Sequence, residues 1–254
     1  YILLAGWWWR LTGKKVVLWR NHQAGSWLTD IAATFCHRVF CTSKFSYTAK
    51  YKQTVLMPVG IDTNIFKPAP NIARHPNSIL FLARIAPVKG PDLLLEALKI
   101  LNDQGIEFRA SLYGDPSLVD QRYFNLLKQR VASYGMLNKV KFQPGIPNDQ
   151  TPAIYNRHEI FVNLSPSGMY DKTIFEAMAC GCLVLASNDN LRGQIDERLI
   201  IANRTAAEVA NKLCLALFLS DRERVRLIDQ NIEFAKTQSL DKLADKLNQE
   251  LYDR

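Results

Sequence analysis

The 254-residue sequence lacks most of the signatures that assign chemistry on sight. No G-x-G-x-x-G follows an apolar run of strand length, which excludes the nicotinamide and flavin dinucleotide fingerprint. No Asp-x-Asp stands in a loop position suited to a divalent cation, and no metal site is expected. There are five cysteines, an odd number. Cys180 and Cys182 form C-x-C beside an apolar run, Cys36 and Cys41 lie apart from them, and no His joins either pair at zinc-ligand spacing. Buried thiols in a reducing compartment are therefore expected rather than a disulfide framework or a zinc site. Tyr1–Trp9 is apolar but about half the length needed to span a bilayer. It has no basic leader and no cleavage site, so it is not a signal peptide. A first residue of Tyr rather than Met leads us to expect that these residues come from the middle of a longer protein.

Acidic residues are scarce at one end. Residues 1–70 carry nine Lys/Arg against two Asp/Glu, which accounts for most of the net charge of +8. All five tryptophans (Trp7, Trp8, Trp9, Trp19 and Trp27) lie in the same stretch. A basic, aromatic surface suits nucleic acid or an anionic membrane. No nucleic-acid-binding motif accompanies it, so peripheral membrane contact on the cytoplasmic face is the expectation and nucleic acid is not. Trp7, Trp8 and Trp9 in succession cannot all face one core. An interfacial helix with Arg10, Lys14 and Lys15 at phosphate depth and a helix packed on another domain both fit.

What the sequence does contain is alternation. Apolar runs of strand length (15–19, 37–43, 78–83, 108–113, 139–142, 159–164, 182–187) alternate with helical patterns over 27–36, 92–102, 119–134, 151–158 and 173–180. Three more helices are expected at 206–219, 221–236 and 240–252. This is the pattern of α/β, doubly wound parallel sheets. Leu240, Leu243, Leu247 and Leu251 form a helical stripe after Ser239, a cap candidate, and the stripe reads as core.

The stretch that organises the chain is Ser165–Ser187, SPSGMYDKTIFEAMACGCLVLAS. An apolar strand, a Gly-containing polar loop and a helix start direct unpaired N–H groups and a positive dipole end into one crevice, a site for an anion such as phosphate. Asp171 precedes that helix as a capping candidate. Glu176 sits one turn inside it among apolar residues, where a charge needs a partner. Gly181 suits the helix exit. Arg84 and Lys89 stand between a strand end and a helix start; a planar fork and a compact point charge together suit a diphosphate. Taken alone, such a spacing more often marks solvated charges. In Val55–Pro68, Gly60 permits a turn, and Phe66 and Pro68 fix a hinge.

These segments resemble family 4 of the retaining glycosyltransferases, which have the GT-B fold. DKTIFEAMACGCLVLAS matches the family's donor-binding segment, in which Glu176 corresponds to the Glu that holds the ribose hydroxyls. Gly168 falls where the family has a first Glu. In this the chain resembles a bacterial branch with a Gly-Ser-x-Asp-Lys loop. Arg84 and Lys89 match the Gly-Arg-x-x-x-x-Lys-Gly motif, with Ala83 in place of the Gly, and Val55–Pro68 resembles the inter-domain linker. The resemblance implies a GT-B fold with three parts. Residues 1–70 would end the N-terminal acceptor domain, 71–238 would bind the nucleotide-sugar donor, and 239–254 would be a helix returning to the first domain. It also implies metal-independent transfer of a sugar from a nucleotide-diphosphate-sugar, a substrate rather than a cofactor, to a glycan or lipid-linked hydroxyl, with retention, in surface glycan or glycolipid synthesis. By the same resemblance His22, past the strand at 15–19, faces the donor sugar and joins Arg84 and Lys89 as a catalytic candidate. Gly145, Asp171, Lys172, Thr173 and Glu176 are the donor-binding candidates. A non-catalytic sugar-nucleotide binder and a sugar-nucleotide epimerase of the same fold remain the alternatives.

Overall fold

The computed structural model describes residues 1–166 and 168–252, and their contacts fall into two units. One contains Tyr1–Ile61, Gly168–Tyr170 and Thr237–Arg254; the other contains Asp62–Ser167 and Asp171–Lys236. The first division comes at Ile61, within the stretch 55–68 read as the linker. Ile61 bridges to Ser239 within the first unit, whereas Phe66 stacks edge-on against Tyr155 in the second.

The first unit is built on three parallel strands in the order β1 (Val17–Trp19), β2 (Arg38–Cys41) and β3 (Thr54–Leu56). β3 lies inside the stretch read from sequence as the approach to the linker; three residues are too few to show a period. Helices α1 (Ile2–Leu11) and α2 (Trp27–Thr34) belong to this unit. Its small core of Val16, Ala33, Cys36 and Val39 receives Ile2, Trp9 and Leu18. Trp7 and Trp8 stay half exposed, so the three successive tryptophans do part company. The C-terminal helix α9 (Leu240–Tyr252) is capped as expected, with Lys242 N donating to Ser239 Oγ. Its leucine stripe is not core, however, for α9 has no fully buried residue. The helix lies on one side of its unit, held by Gly60 N and Ile61 N donating to the Gln238 carbonyl and by an Arg38–Glu250 ion pair at 2.9 Å.

The second unit is a five-stranded parallel sheet with the order β6 (Val140–Gln143), β5 (Arg109–Tyr113), β4 (Ser78–Leu82), β7 (Ile160–Asn163), β8 (Leu183–Ala186). The direction of winding reverses between β4 and β7. In open parallel sheets such a switch point leaves a crevice at the carboxyl ends of the strands, where ligands bind. β7 and β8 are buried at every residue, as a strand covered on both faces must be. Helices α3 (Pro91–Asp103) and α7 (Ala206–Leu217) pack together, and Leu94, Leu98, Val209 and Leu213 are among their buried residues. α4 (Gln121–Ser133), α5 (Thr151–Arg157) and α8 (Asp221–Lys236) complete the covering layers. α6 (Lys172–Ala179) is enclosed nearly all round, and only its first turn opens outward. Cys36, Cys41, Cys180 and Cys182 are buried and unpaired, as expected of structural thiols.

Gly114 ends β5 with φ +147°, and a Cβ there would lie 1.9 Å from the Ala83 carbonyl oxygen. Gly105, past α3, has φ +71° and nothing within 4 Å of an added Cβ. Gly114→Ala should therefore lower the unfolding free energy by about 3 kcal/mol or more, and Gly105→Ala by about 1 kcal/mol. Urea unfolding of both variants checks the difference; equal losses would mean that the backbone approach at Gly114 carries no constraint.

Candidate functional site

The switch point brings two loops together. After β4 the chain runs through Arg84 and a single 3-10 turn, Pro87–Lys89, to Gly90, which takes φ +70° before Pro91 opens α3. After β7 it runs through Ser165 to Asp171 and α6. Gly90 sits so close to β7 that an added Cβ would lie 3.1 Å from Leu164 Cβ. That approach carries the Lys89 ammonium to Asp171 Oδ2 at 2.7 Å and to Ser165 Oγ at 3.0 Å. Asn163 Nδ2 donates to the same Asp171 oxygen at 3.2 Å and to Thr173 Oγ1 at 3.3 Å.

Asp171 occupies the N-cap position of α6, yet its carboxylate makes no capping bond. It is turned to Lys89 instead, so capping, the structural alternative, is not its role. Burial pushes its pKa up, but the charge of Lys89 and the hydrogen bonds from Lys89, Asn163 and Ser165 outweigh that. The group titrates below the ordinary carboxylate range. Asp171 gives the start of α6 no side-chain cap, and Lys172 is exposed beside it. A helix N-terminus and the Lys89 ammonium, held by the ionised Asp171, meet at this place.

Glu176 is only 5% exposed. Tyr155 OH donates to its Oε2 at 3.1 Å and Asn148 Nδ2 to its Oε1 at 3.3 Å. The partner that its apolar surroundings require is thus a pair of neutral donors and not a cation. Burial raises its pKa above the usual value, against the lowering effect of Asn148 and Tyr155, and the carboxylate in turn helps to raise that of Tyr155. Each oxygen has one bond here, and an ionised carboxylate accepts about four.

Beside Arg84 the ends of β4, β5 and β6 enclose a cavity of about 210 Å³ lined by Leu82, Ala83, Arg84, Tyr113, Gly114, Asp115, Gly145 and Ile146. A Cβ on Gly145 would sit 2.7 Å from Asp115 Oδ2, so glycine lets two loops close over the cavity. Arg84 is exposed on its rim and makes no side-chain hydrogen bond or ion pair among the described residues.

The second sheet thus assembles Arg84, Lys89, Gly145, Asp171, Lys172, Thr173 and Glu176. His22 belongs to the first unit, past the end of β1, and is not among the residues this sheet brings together. Its Nδ1 lies 2.9 Å from Ala24 N and 3.1 Å from the Ala24 carbonyl, so a local turn holds the ring. Gly168 is also in the first unit, where an added Cβ would meet Gln23 Nε2 at 1.5 Å. Gln23 fills the space a carboxylate side chain would need. Tyr113, Asp115, Asn148, Tyr155, Asn163 and Ser165 line or support the same region and carry no comparable mark in the sequence. The Gly114-Asp115-Pro116 break after a strand was the one available signal. The others depend on which strands are neighbours.

Residues 62–233 match the family described as glycosyl transferases group 1. The chain belongs to this family. Among curated group 1 relatives, mannosylfructose-phosphate synthase of Agrobacterium fabrum (strain C58 / ATCC 33970) is 32% identical over 147 residues, 53% of this chain and 32% of that protein. D-inositol 3-phosphate glycosyltransferase of Thermobispora bispora is 28% identical over 154 residues, 56% of this chain and 36% of that protein. The match thus spans about a third of each relative's length. The crystal structure of Anabaena Alr3699/HepE in complex with UDP is similar with a TM-score of 0.84 at 19% identity, covering 100% of this chain and 76% of that one. Sucrose-phosphate synthase (tll1590) from Thermosynechococcus elongatus gives a TM-score of 0.73 at 20% identity, covering 97% and 70%. These likenesses establish the GT-B fold class for this member of the group 1 family.

Asp171 is stabilising in its charged form. With its folded pKa depressed, that contribution is complete above the ordinary carboxyl value and is lost as pH falls through the lower folded value. Asp171→Asn should cost about 1–3 kcal/mol at neutral pH, and the deficit should shrink as the medium is acidified through the carboxylate range. Urea unfolding of both proteins along a pH series tests this; a deficit independent of pH would remove the ion pair as its source.

Proposed function

We propose that this glycosyltransferase moves a sugar from a nucleotide-diphosphate-sugar to a hydroxyl acceptor with retention at the anomeric carbon. The observation that carries the proposal is the meeting of Lys89 with Asp171 at the start of α6, at the switch point and beside a cavity rimmed by Arg84. In this reading the diphosphate lies on the α6 N–H groups and Thr173, with Arg84, Lys89 and Lys172 around it. The bond between sugar and diphosphate breaks, the acceptor oxygen takes its place on the sugar, and the acceptor's proton passes to the departing diphosphate. The charge left on the departing diphosphate is met by Arg84, Lys89 and the helix dipole without a divalent ion. Asp171 holds Lys89 in position for this. The base enters the cavity of Tyr113, Gly114, Gly145 and Ile146, and the spare lone pairs of Glu176 accept from the ribose hydroxyls.

Support comes from the family match, from the resemblance around Asp171–Ser187, and from the neighbours named for complexes with UDP and with UDP-glucose. A glycan or lipid-linked acceptor and a role in surface polysaccharide or glycolipid synthesis belong to the same proposal. So does peripheral contact with an anionic membrane, supported by the exposed Leu4, Trp7, Trp8 and Leu11 of α1 beside Arg10, Lys14 and Lys15. Among the described residues no helix is long and apolar enough to cross a membrane. A sugar-nucleotide binder without transfer activity is the second reading, favoured by the absence of a carboxylate at Gly168.

The direct test is to incubate the protein with a panel of nucleotide-sugars and hydroxyl acceptors and to follow both nucleoside diphosphate release and product anomeric configuration by NMR. Saturable donor binding without release or product would establish the binder; an inverted product would sink retention.

Two sets of variants examine the contacts. Arg84→Ala and Lys89→Ala should each weaken UDP binding by about 1.5–3 kcal/mol while leaving uridine binding within about 0.5 kcal/mol. Equal losses for the two ligands in calorimetry would remove the diphosphate role. Glu176→Gln should lower affinity for UDP relative to its 2′,3′-dideoxy analogue by about tenfold, with little change in melting temperature. Unchanged discrimination between the two nucleotides would leave Glu176 as a structural acceptor only.

A further inference from the structure

The strands of the second sheet are not all of one kind. β4, β7 and β8 are almost wholly apolar, but β5 reads RASLY and β6 reads VKFQ. A parallel strand covered on both faces has no reason to alternate. The register sets Ser78, Arg109 and Lys139 in one row and Ser111 with Lys141 in the next, on a single face. The opposite face, with Ile79, Ala110, Leu112 and Val140, is buried. The β5–β6 side of the sheet therefore has one packed face and one open, basic face.

On the open face lies a cavity of about 350 Å³ lined by these polar residues together with His75, Asn138 and His158. No carboxylate among the described residues lines it. Lys139 is shared with Glu107 at 3.2 Å. Arg109 and Lys141 have no side-chain hydrogen bond or ion pair among the described residues. The inner wall is His158, 5% exposed, whose Nδ1–H donates to the Ile154 carbonyl at 2.7 Å. Nε2 is left as the ring's second polar atom. With Nδ1 donating and burial lowering the pKa of this imidazole, Nε2 is the ring's lone-pair acceptor.

The lining thus combines an arginine fork, a lysine point charge, a serine hydroxyl, an asparagine amide and a buried acceptor. A bare anion satisfies the cations but has no hydrogen for His158. We propose that this cavity binds a small hydroxylated phosphate ester, a sugar phosphate by chemical class, with its phosphate on Arg109 and Lys141 and a ligand hydroxyl donating to His158 Nε2. Arg109 meets a phosphate with two parallel donors, and the cavity volume is that of a small-ligand site. The site is distinct from the cleft at the switch point. Ser78 and Arg109 begin their strands, whereas Arg84, Gly114 and Gly145 follow strand ends, about 15 Å away along the sheet. The proposal stands on this face alone and does not depend on the donor assignment.

The experiment is calorimetric titration of the full chain with a hexose 6-phosphate in the presence of saturating UDP, which occupies any nucleotide site. Sodium sulfate and phosphatidylglycerol vesicles are run in parallel. We expect saturable binding of the hexose phosphate, weaker binding of sulfate, and a loss of about tenfold or more in Arg109→Ser and in Lys141→Ser, with UDP affinity and melting temperature unchanged. Four results would each overturn the proposal: no binding of the ester, affinity unchanged in the Arg109→Ser/Lys141→Ser double variant, sulfate binding as tightly as the ester, or vesicles held more tightly than the ester through the same two residues. Because UDP affinity is measured independently, failure of the donor assignment and failure of this site give different results.

Discussion

The Lys89–Asp171 ion pair ties the loop after β4 to the loop after β7, across the place where the winding of the second sheet reverses. It is a half-buried contact, and Ser165 and Asn163 add hydrogen bonds to the same carboxylate. A pair of this kind is worth more as a positioning device than as a source of stability, since desolvation offsets much of its attraction. Here it sets the ammonium at the first turn of α6 and takes the N-cap carboxylate away from the helix N–H groups. The Lys89 ammonium and the first N–H groups of α6 thus meet at one place, with the ionised Asp171 carboxylate between them. The glycine at position 90 allows the approach, because its left-handed backbone turns the chain in contact with Leu164.

The two carboxylates of this region show how the same side-chain chemistry is driven in opposite directions. Asp171 and Glu176 are both shielded from water, and burial alone raises the pKa of each. Asp171 has a cation within hydrogen-bond distance, which overcomes the burial. Glu176 has only the neutral donors Tyr155 and Asn148, which do not. A carboxylate with a depressed pKa keeps its charge to hold Lys89, whereas one with a raised pKa gains from any further hydroxyl donated to it.

Much of the fold was legible because parallel α/β units carry strong local signals. The runs at 78–83, 159–164 and 182–187 are too apolar to be anything but covered strands, and the Gly105 and Gly181 exits mark helix ends. Arg84, Lys89 and Glu176 stood out because their types and positions relative to strand ends and helix starts have a chemical reason. Less is legible where the local signal is thin. β3 is three residues long and merged with the linker. The leucine stripe of α9 has the period of a core helix but covers only one side of its unit, because periodicity gives the direction of an apolar face and not the depth of what covers it.

From the sequence alone came the strand–helix alternation, the positions of the caps and exits, and the residue types able to hold a diphosphate. All of these depend on interactions within a few residues along the chain. Strand order is different, because it depends on which distant segments share hydrogen bonds. Only the tertiary structure placed β4 beside β7 and so made Lys89 and Asp171 partners. It likewise gave Glu176 to Tyr155 and Asn148, and left one face of β5 and β6 open with Arg109, Lys141 and His158 around a single cavity. No local pattern encodes these meetings, since the residues are separated along the chain and are joined only when the sheet closes.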